Sequence, residues 1–348
     1  MRNKNVPKSL GTRVWTITKR AVLVLLVLFI ALEVSLRFVL GNLDVAPMTV
    51  HPSDGRCVGL EPNGHVVYTG WWWKIPAVKE DANKYGYRGP ARPQAKPPGT
   101  LRIALMGDSF VYGQGVLTNQ TISAYLEPML YKDTGRRWQV LNFGIPGLNL
   151  NEEDDQLRQF ASRWHPDVVL EFLFSNDFEP PICAQLHHKL FFFALKHVYS
   201  LRFFLARSRK FVQMLDPDPL PAPPQVLFQE AFDRFKNEAE KIHARFGVVV
   251  IADPMYYFAR KTGHRRRLSL KEVAQLHAKF PAWMSQTHLP WLDGRTWWGP
   301  HGTLPQIPGE GHFTAAGDRM IAQTVARWLL SSGLLNAPPV QAPSADKR

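Results

Sequence analysis

From residue 101 onward, short apolar runs alternate with longer amphipathic stretches. The short runs are rich in branched side chains and have the length of strands that are buried on both faces. They are Leu101–Met106, Gln139–Phe143, Val168–Phe174 and Val248–Ala252. The longer stretches carry apolar residues at helical spacing. They are Ile122–Asp133, Glu152–Arg163, Phe228–Phe246 and about Ala315–Ser331.

Strands that alternate with helices indicate a mostly parallel sheet covered on both faces. We therefore predict a three-layer α/β/α domain over residues 101–335, with a flavodoxin-like order of about five strands. One of these strands is expected in the segment "THLPWLD", which ends at Asp293. In such sheets the functional site lies at the carboxyl ends of the strands.

A long apolar stretch precedes this domain. Residues 21–40 are mostly apolar, and their two charged residues, Glu33 and Arg37, lie four apart and share one face of a helix. Twenty helical residues at ~1.5 Å each span the ~30 Å hydrocarbon core of a bilayer. Residues 1–20 hold six basic and no acidic residues, whereas Arg56 is the single basic residue of residues 41–60. This asymmetry predicts that residues 21–40 form a transmembrane helix and that residues 1–20 lie in the cytoplasm.

The alternative for this stretch is a cleaved signal peptide. We favour an uncleaved signal anchor, because the sequence after Leu32 lacks the small-x-small pattern that cleavage requires. The expected location is a single pass through the inner (cytoplasmic) membrane, with the α/β domain in the periplasm. Residues 41–100, rich in Pro and Gly, predict an irregular segment, and residues 336–348 predict a disordered tail.

Residues 186–224 interrupt the alternation and predict an insertion. The part over 186–215 holds six Lys or Arg and six Phe without an acidic residue. It fits either an amphipathic element on a membrane surface or over the site, or a crossover helix that packs its aromatic rings on the sheet. The proline-rich remainder is typical of a stiff connector.

The net positive charge of the chain raises the question of a nucleic-acid partner. The 348 residues include 42 Lys plus Arg against 29 Asp plus Glu, a net charge of +13. The basic excess is concentrated at the N-terminus and in residues 186–215, beside apolar residues, which argues for a membrane and against a nucleic-acid partner. Two cysteines are too few for a disulfide framework. In an exported chain, Cys57 and Cys183 fit either one bridge or two buried thiols.

Polar residues at the predicted strand ends suggest chemistry. Ser109 follows the first strand, and a glycine-rich turn with Gly144 and Gly147 follows the second. Asn176 follows the third strand, and "EGH" over residues 310–312 precedes the last helix. A serine, amide donors and a carboxylate–imidazole pair are the groups that acyl transfer requires.

These four fragments, in this order, resemble the SGNH (GDSL-type) hydrolase family over about residues 100–332. The blocks are "LRIALMGDSFVYGQG", "VLNFGIPGLN", "FLFSND" and "GEGHFTAAG". Phe110 stands where many members have leucine, and Phe174 stands where glycine is usual. The segment "NKYGYRGP" at 83–90 also resembles one that precedes the catalytic domain in membrane-anchored bacterial members.

The resemblance implies an acyl-serine intermediate and no metal or organic cofactor. Ser109 would be the nucleophile and His312 the base. The oxyanion hole would combine the Ser109 and Gly147 amides with the Asn176 side chain, and Gly144 is the alternative to Gly147. Asp108 would brace the turn rather than react.

The main departure from the family concerns the acidic residue that would complete a triad with Ser109 and His312. The family usually places an aspartate two or three residues before its histidine. Glu310 is the first candidate here, and Asp293 is the alternative. His301 is a rival base, but no acidic residue precedes it at that spacing.

The predicted function is hydrolysis of an acyl ester outside the cytoplasm. Tryptophans at 71–73, 297 and 298 favour an O-acetylated glycan, although they also suit a core or a membrane interface, and the Phe-rich basic segment favours a lipid ester. Two alternatives remain: an O-acyltransferase that modifies an envelope polysaccharide, and a catalytically silent glycan-binding or envelope protein. The sequence does not indicate an oligomeric state.

Overall fold

The structure is a computed structural model. It describes residues 10–39, 49–50, 58–60, 62–70, 75–174, 177, 198, 200, 224–251, 270–294, 297, 305–307 and 311–336. The chain divides into two compact units, Met1–Val45 with His188–Met214, and Ala46–His187 with Leu215–Arg348. Cys57, Cys183, most of the predicted insertion and the tail beyond residue 336 lie outside the described residues.

The first unit contains helix α1, Leu10–Val39. Its large apolar side chains are exposed from Val14 to Val34. The Glu33 carboxylate accepts a hydrogen bond from the Ser200 backbone N–H at 2.9 Å. In the described part of the chain, no helix combines the length and the apolar character needed to cross a membrane. The transmembrane helix expected over residues 21–40 therefore lacks structural support.

The second unit is built on a five-stranded sheet in which all neighbouring strands are parallel. The strands are β5 Thr100–Met106, β6 Arg137–Asn142, β7 Val168–Leu173, β8 Arg245–Ile251 and β9 Trp291–Gly294. Their spatial order is β6-β5-β7-β8-β9. This is the flavodoxin-like order, so the prediction of a central parallel sheet with this order is confirmed.

Helices cover both faces of the sheet. Alternate residues of each strand point to opposite faces, so the apolar strands have side chains to bury on both. The helices are α2 Ser109–Tyr112, α3 Ile122–Thr134, α4 Leu150–Gln159, α5 Pro224–Lys241, α6 Leu270–Thr287 and α7 Ala315–Ser331. Ala104 and Met106 of β5 share a core with α4, α5 and α6. Ile103 and Leu105 share the other core with α3 and α7. Three-layer packing thus explains why the strands read as continuous apolar runs.

One predicted helix boundary is wrong. The stretch Phe228–Phe246 was expected to be helical throughout, but α5 ends at Lys241 and β8 begins at Arg245. The Arg245 backbone N–H donates to the Asp167 carbonyl oxygen at 3.0 Å, and β8 then pairs with β7. Pairing with a neighbouring strand therefore overrides the local helical pattern at these residues.

The segment over residues 41–100 is more ordered than predicted. Thr49–Val50 (β1) pairs antiparallel with Val58–Gly59 (β2). His65–Gly70 (β3) pairs antiparallel with Ile75–Asp81 (β4). A hairpin is held by its ladder of backbone hydrogen bonds and needs no long apolar run, which explains why the hydrophobic pattern missed it.

Candidate active site

The nucleophile candidate lies on a tight strand-to-helix turn. Gly107 follows β5 with φ +150°, and a Cβ atom there would come within 2.5 Å of Val111 Cγ2. Asp108 caps α2, since its Oδ1 accepts the Phe110 N–H at 2.9 Å. Ser109 is the first residue of α2 and is 9% exposed. The turn therefore presents the Ser109 hydroxyl at the carboxyl end of the sheet, and Asp108 braces it.

The structure brings His312 to this serine, with 2.7 Å between His312 Nε2 and Ser109 Oγ. The histidine lies in the loop before α7, as the sequence predicts. Two backbone hydrogen bonds hold that loop: Ile307 N–H to His312 O at 2.8 Å, and Gly311 N–H to Ile307 O at 3.2 Å. Gly311 has φ +105°, a conformation that favours glycine. The Phe110 ring lies 4.7 Å from the imidazole ring.

The two glycines after β6 have different roles. The Gly144 N–H donates to Asn142 Oδ1 at 3.0 Å, so this amide is already engaged. A Cβ atom on Gly144 would overlap the backbone of α2, at 2.8 Å from the Val111 carbonyl carbon. Gly147 has φ +82°. Within the described residues, neither Gly147 nor Ser109 has an acceptor for its backbone N–H. Those two amides are thus available to a ligand, whereas Gly144 packs the turn.

Several predicted site residues cannot be placed against this pair. Asn176, Glu310 and the rival base His301 lie outside the described residues. Asp293 lies in β9 and is partly exposed. Trp297 packs against the core shared with α3 and α7, which is the alternative that the sequence left open for it.

Glu80 and Arg88, which precede the α/β domain in sequence, bind the loop that follows Ser109. Arg88 is 1% exposed, and its guanidinium donates to the carbonyl oxygens of Tyr112, at 2.8 Å, and of Gly113 and Val116. A Glu80 carboxylate oxygen accepts the Gly115 N–H at 2.6 Å. Residues 80 and 88 therefore fix the C-terminal end of α2, on which Ser109 sits.

Burial sets the electrostatics of the surrounding acids. Desolvation raises the pKa of Glu80, although Arg88 and the Gly115 N–H act in the opposite direction. Desolvation also raises the pKa values of Glu153, Glu171 and Asp177 well above their ordinary range, and the negative charge of Asp108 contributes to each.

Sequence reasoning missed Glu80, Arg88 and Glu171. Glu171 could have been noticed from the sequence, because it lies in the middle of the apolar run "VVLEFLF". Glutamate is almost never fully buried in a strand unless its carboxyl group has a partner. Arg88 lies in the segment "NKYGYRGP", for which the resemblance suggested a packing role only. Glu80 carried no local signal, because its contact with Gly115 joins residues distant in sequence.

The strand order, the tight turn and the Ser109–His312 pair define an α/β protein of the serine-hydrolase type. The sequence matches the GDSL-like Lipase/Acylhydrolase family over residues 105–320. The chain belongs to this family, as predicted; its placement among membrane-anchored bacterial members stays a prediction. The curated proteins include no match to the chain.

The chain is also similar to solved structures, three of which are named here. TesA is 16% identical, with 67% of this chain and 99% of TesA covered and a TM-score of 0.44. The inhibitor-bound aryl esterase of M. smegmatis is 15% identical, with 67% and 99% covered and a TM-score of 0.40. The lipase/acylhydrolase of Enterococcus faecalis is 16% identical, with 70% and 100% covered and a TM-score of 0.41.

Proposed function

We propose that this protein is a serine ester hydrolase with Ser109 as the nucleophile and His312 as the general base. The observation that carries the proposal is the 2.7 Å separation of Ser109 Oγ and His312 Nε2 at the carboxyl end of the sheet. Family membership supports esterase or lipase chemistry in general.

The reaction proceeds in two halves. His312 Nε2 takes the proton of Ser109 as Oγ attacks the ester carbonyl carbon, and the tetrahedral adduct collapses when the imidazolium returns that proton to the leaving alkoxide. Water then attacks the acyl-serine with His312 again as base, which releases the carboxylic acid and restores Ser109.

Backbone amides stabilise the charge that develops on the carbonyl oxygen. The Ser109 and Gly147 N–H groups, available in the described structure, are the donors, and the Asn176 side chain is the third. Such donors act in a partly water-excluded site and cost no reorganisation during the reaction.

The triad acid is proposed to be Glu310, with Asp293 as the alternative. Because His312 Nε2 faces the serine, the acid must hold the proton on Nδ1. We expect Glu310→Gln to lower kcat by about 10⁴-fold, the cost of a wrong tautomer. Asp293→Asn should stay within a few-fold of the wild type. The reverse outcome would assign the role to Asp293.

The substrate is proposed to be an acyl ester of a glycan, on the basis of the tryptophans at 71–73 and 298. A lipid ester is the other candidate. Location at a membrane is proposed from the exposed apolar side chains of α1 and the basic residues that precede them. Cell fractionation of the full chain and of a chain lacking residues 1–40 tests this, and recovery of the full chain in the soluble fraction would refute it.

A fluorophosphonate probe tests the proposed chemistry directly. The probe should label the full-length protein, and labelling should disappear in Ser109→Ala. Ser162→Ala is the matched control, because in the described structure the Ser162 hydroxyl donates to the Arg158 carbonyl oxygen at 3.0 Å, just after α4. A folded wild-type protein that is not labelled would indicate a silent binding protein instead.

Product analysis separates hydrolysis from transfer. The protein is supplied with an activated acetyl ester and with candidate glycan acceptors. Acetate release that depends on Ser109 indicates a hydrolase, whereas acetylated glycan indicates an O-acyltransferase. Parallel assays with acylated glycans and lipid esters identify the substrate class.

A further inference from the structure

Three carboxyl side chains meet in the interior of the domain, behind the catalytic turn. Glu153 comes from α4, Glu171 from the middle of β7, and Asp177 from the residues that follow β7. One oxygen atom from each lies within 4.8 Å of those of the other two. The three residues are 0%, 0% and 1% exposed, so this carboxyl cluster is sealed from solvent.

Most oxygen atoms of the carboxyl cluster have no hydrogen-bond donor. Both oxygens of Glu153, both oxygens of Glu171 and Oδ1 of Asp177 are buried without a partner. Asp177 Oδ2 accepts a hydrogen bond from the Phe174 N–H. The Phe172 backbone N–H also acts to lower the pKa of Glu171, although desolvation outweighs it. A buried carboxylate without a donor or a counter-charge is strongly unfavourable, so five such oxygens in one place call for a ligand.

The charge around the carboxyl cluster has one sign. The strongest charge interactions of Glu153 are with Glu171, Asp108 and Glu152, all of them acidic. Glu171 and Asp177 likewise interact most strongly with other carboxyl groups. The neighbouring side chains therefore add negative charge instead of compensating for it.

We propose that the carboxyl cluster binds one divalent cation, and that Ca²⁺ is the ion that fits best. Two oxygens bound to one Ca²⁺ at ~2.3–2.6 Å can lie up to about 5 Å apart, which accommodates the observed spacing. The donors are all oxygen, which disfavours Zn²⁺. Mg²⁺ usually retains several waters, and a sealed cluster of carboxylates suits it less well than it suits Ca²⁺.

The ion would join the segments that form the candidate active site. Glu153 lies in the first turn of α4, directly after the turn that carries Gly147. Asp177 is the neighbour of Asn176 in sequence, and Asp108 precedes Ser109. The cation therefore has a structural role that does not depend on the ester chemistry, and its test needs no substrate.

Metal analysis of the wild-type protein is the first test. Full-length protein purified without chelator should contain about one calcium per chain by inductively coupled plasma mass spectrometry. Stripping with EDTA should lower the Tm, and adding CaCl₂ should restore it in a concentration-dependent manner. Protein without stoichiometric metal, whose Tm does not respond to Ca²⁺, would overturn the proposal and indicate carboxyls that hold protons.

A charge-removing variant gives the second test. Glu171→Gln keeps the side-chain shape but removes one ligand charge, so we expect loss of stoichiometric calcium and of the Tm response. Asp155→Asn is the matched control and should retain both, because Asp155 on α4 is only half-buried and pairs with Arg158. A Glu171→Gln protein that binds Ca²⁺ like the wild type contradicts the proposal. If this variant does not fold, the wild-type measurements alone decide.

Discussion

The rings of Phe110 and Phe174 lie 4.3 Å apart at an interplanar angle of 46°. These are the two positions at which the sequence departs from the usual leucine and glycine of the family blocks. Phe110 also contacts the His312 ring at 4.7 Å and the Phe313 ring at 4.8 Å. The two departures therefore form one packing unit, and Phe110 of this unit packs against the His312 imidazole from the side of α2.

The first prediction concerns that pair. A double-mutant cycle of Phe110→Leu and Phe174→Leu, measured by urea denaturation, should give a coupling energy of about 0.5–1.5 kcal/mol. Phe110→Leu should also lower kcat more than Phe174→Leu, because only Phe110 has a described contact with His312. Phe235, in the other core, is the control partner and should show no coupling to Phe110. If the changes in unfolding free energy were additive for Phe110 with Phe174 as well as for Phe110 with Phe235, the packing unit would be contradicted.

Arg88 should matter for both stability and rate. Arg88→Met leaves the carbonyl oxygens of residues 112, 113 and 116 without their donor in a buried site, so we expect a loss of about 2–4 kcal/mol in unfolding free energy. Because that loop follows Ser109 directly, kcat should fall as well. Arg137→Met, at the exposed start of β6, should change neither by more than a small amount. Wild-type kinetics in the Arg88 variant would exclude a positioning role.

Gly144 should tolerate no side chain. A Cβ atom there would overlap the backbone of Tyr112 and Val111, which cannot move without moving α2 and Ser109. Gly144→Ala should therefore reduce fluorophosphonate labelling and destabilise the fold. Gly135→Ala provides the comparison: its φ is +65°, but nothing lies within 4 Å of the added Cβ atom. It should cost only about 1 kcal/mol of backbone strain and leave labelling intact.

Asp154 should make stability depend on pH. Burial raises the pKa of this carboxyl from its ordinary 3.8 to about 6, and Arg234 at 3.6 Å opposes this only in part. The folded state then binds the proton more tightly than the unfolded state, so this contribution to stability is lost as the pH rises from about 4 to about 6.

The matching variant is Asp154→Asn, which cannot titrate. Relative to the wild type it should gain about 1 kcal/mol in unfolding free energy between pH 4 and pH 7, measured by urea denaturation at several pH values. Asp133→Asn, at an exposed position of α3, should follow the wild-type pH dependence. Parallel curves for the wild type and Asp154→Asn would show that Asp154 does not carry the effect.

The sheet was predictable because its strands are buried on both faces. A run such as Leu101–Met106 must be apolar throughout to lie between two helix layers, so its composition reveals its position. The β3–β4 hairpin was not predictable in this way, because a ladder of backbone hydrogen bonds holds it and leaves little trace in side-chain pattern. The end of α5 at Lys241 was equally hidden, since pairing of β8 with β7 decides it.

The sequence by itself determined the α/β class, the family and the position of Ser109 and His312 at the edge of the sheet, because local composition and strand ends encode these features. The tertiary structure decided what lies between distant residues. It placed the imidazole 2.7 Å from the serine and engaged the Gly144 N–H. Among the described residues it left the Gly147 N–H without an acceptor, and it buried Arg88 against the turn that follows Ser109. It also gathered Glu153, Glu171 and Asp177 into one sealed cluster. Contacts of this kind depend on how the layers pack, and no local pattern records them.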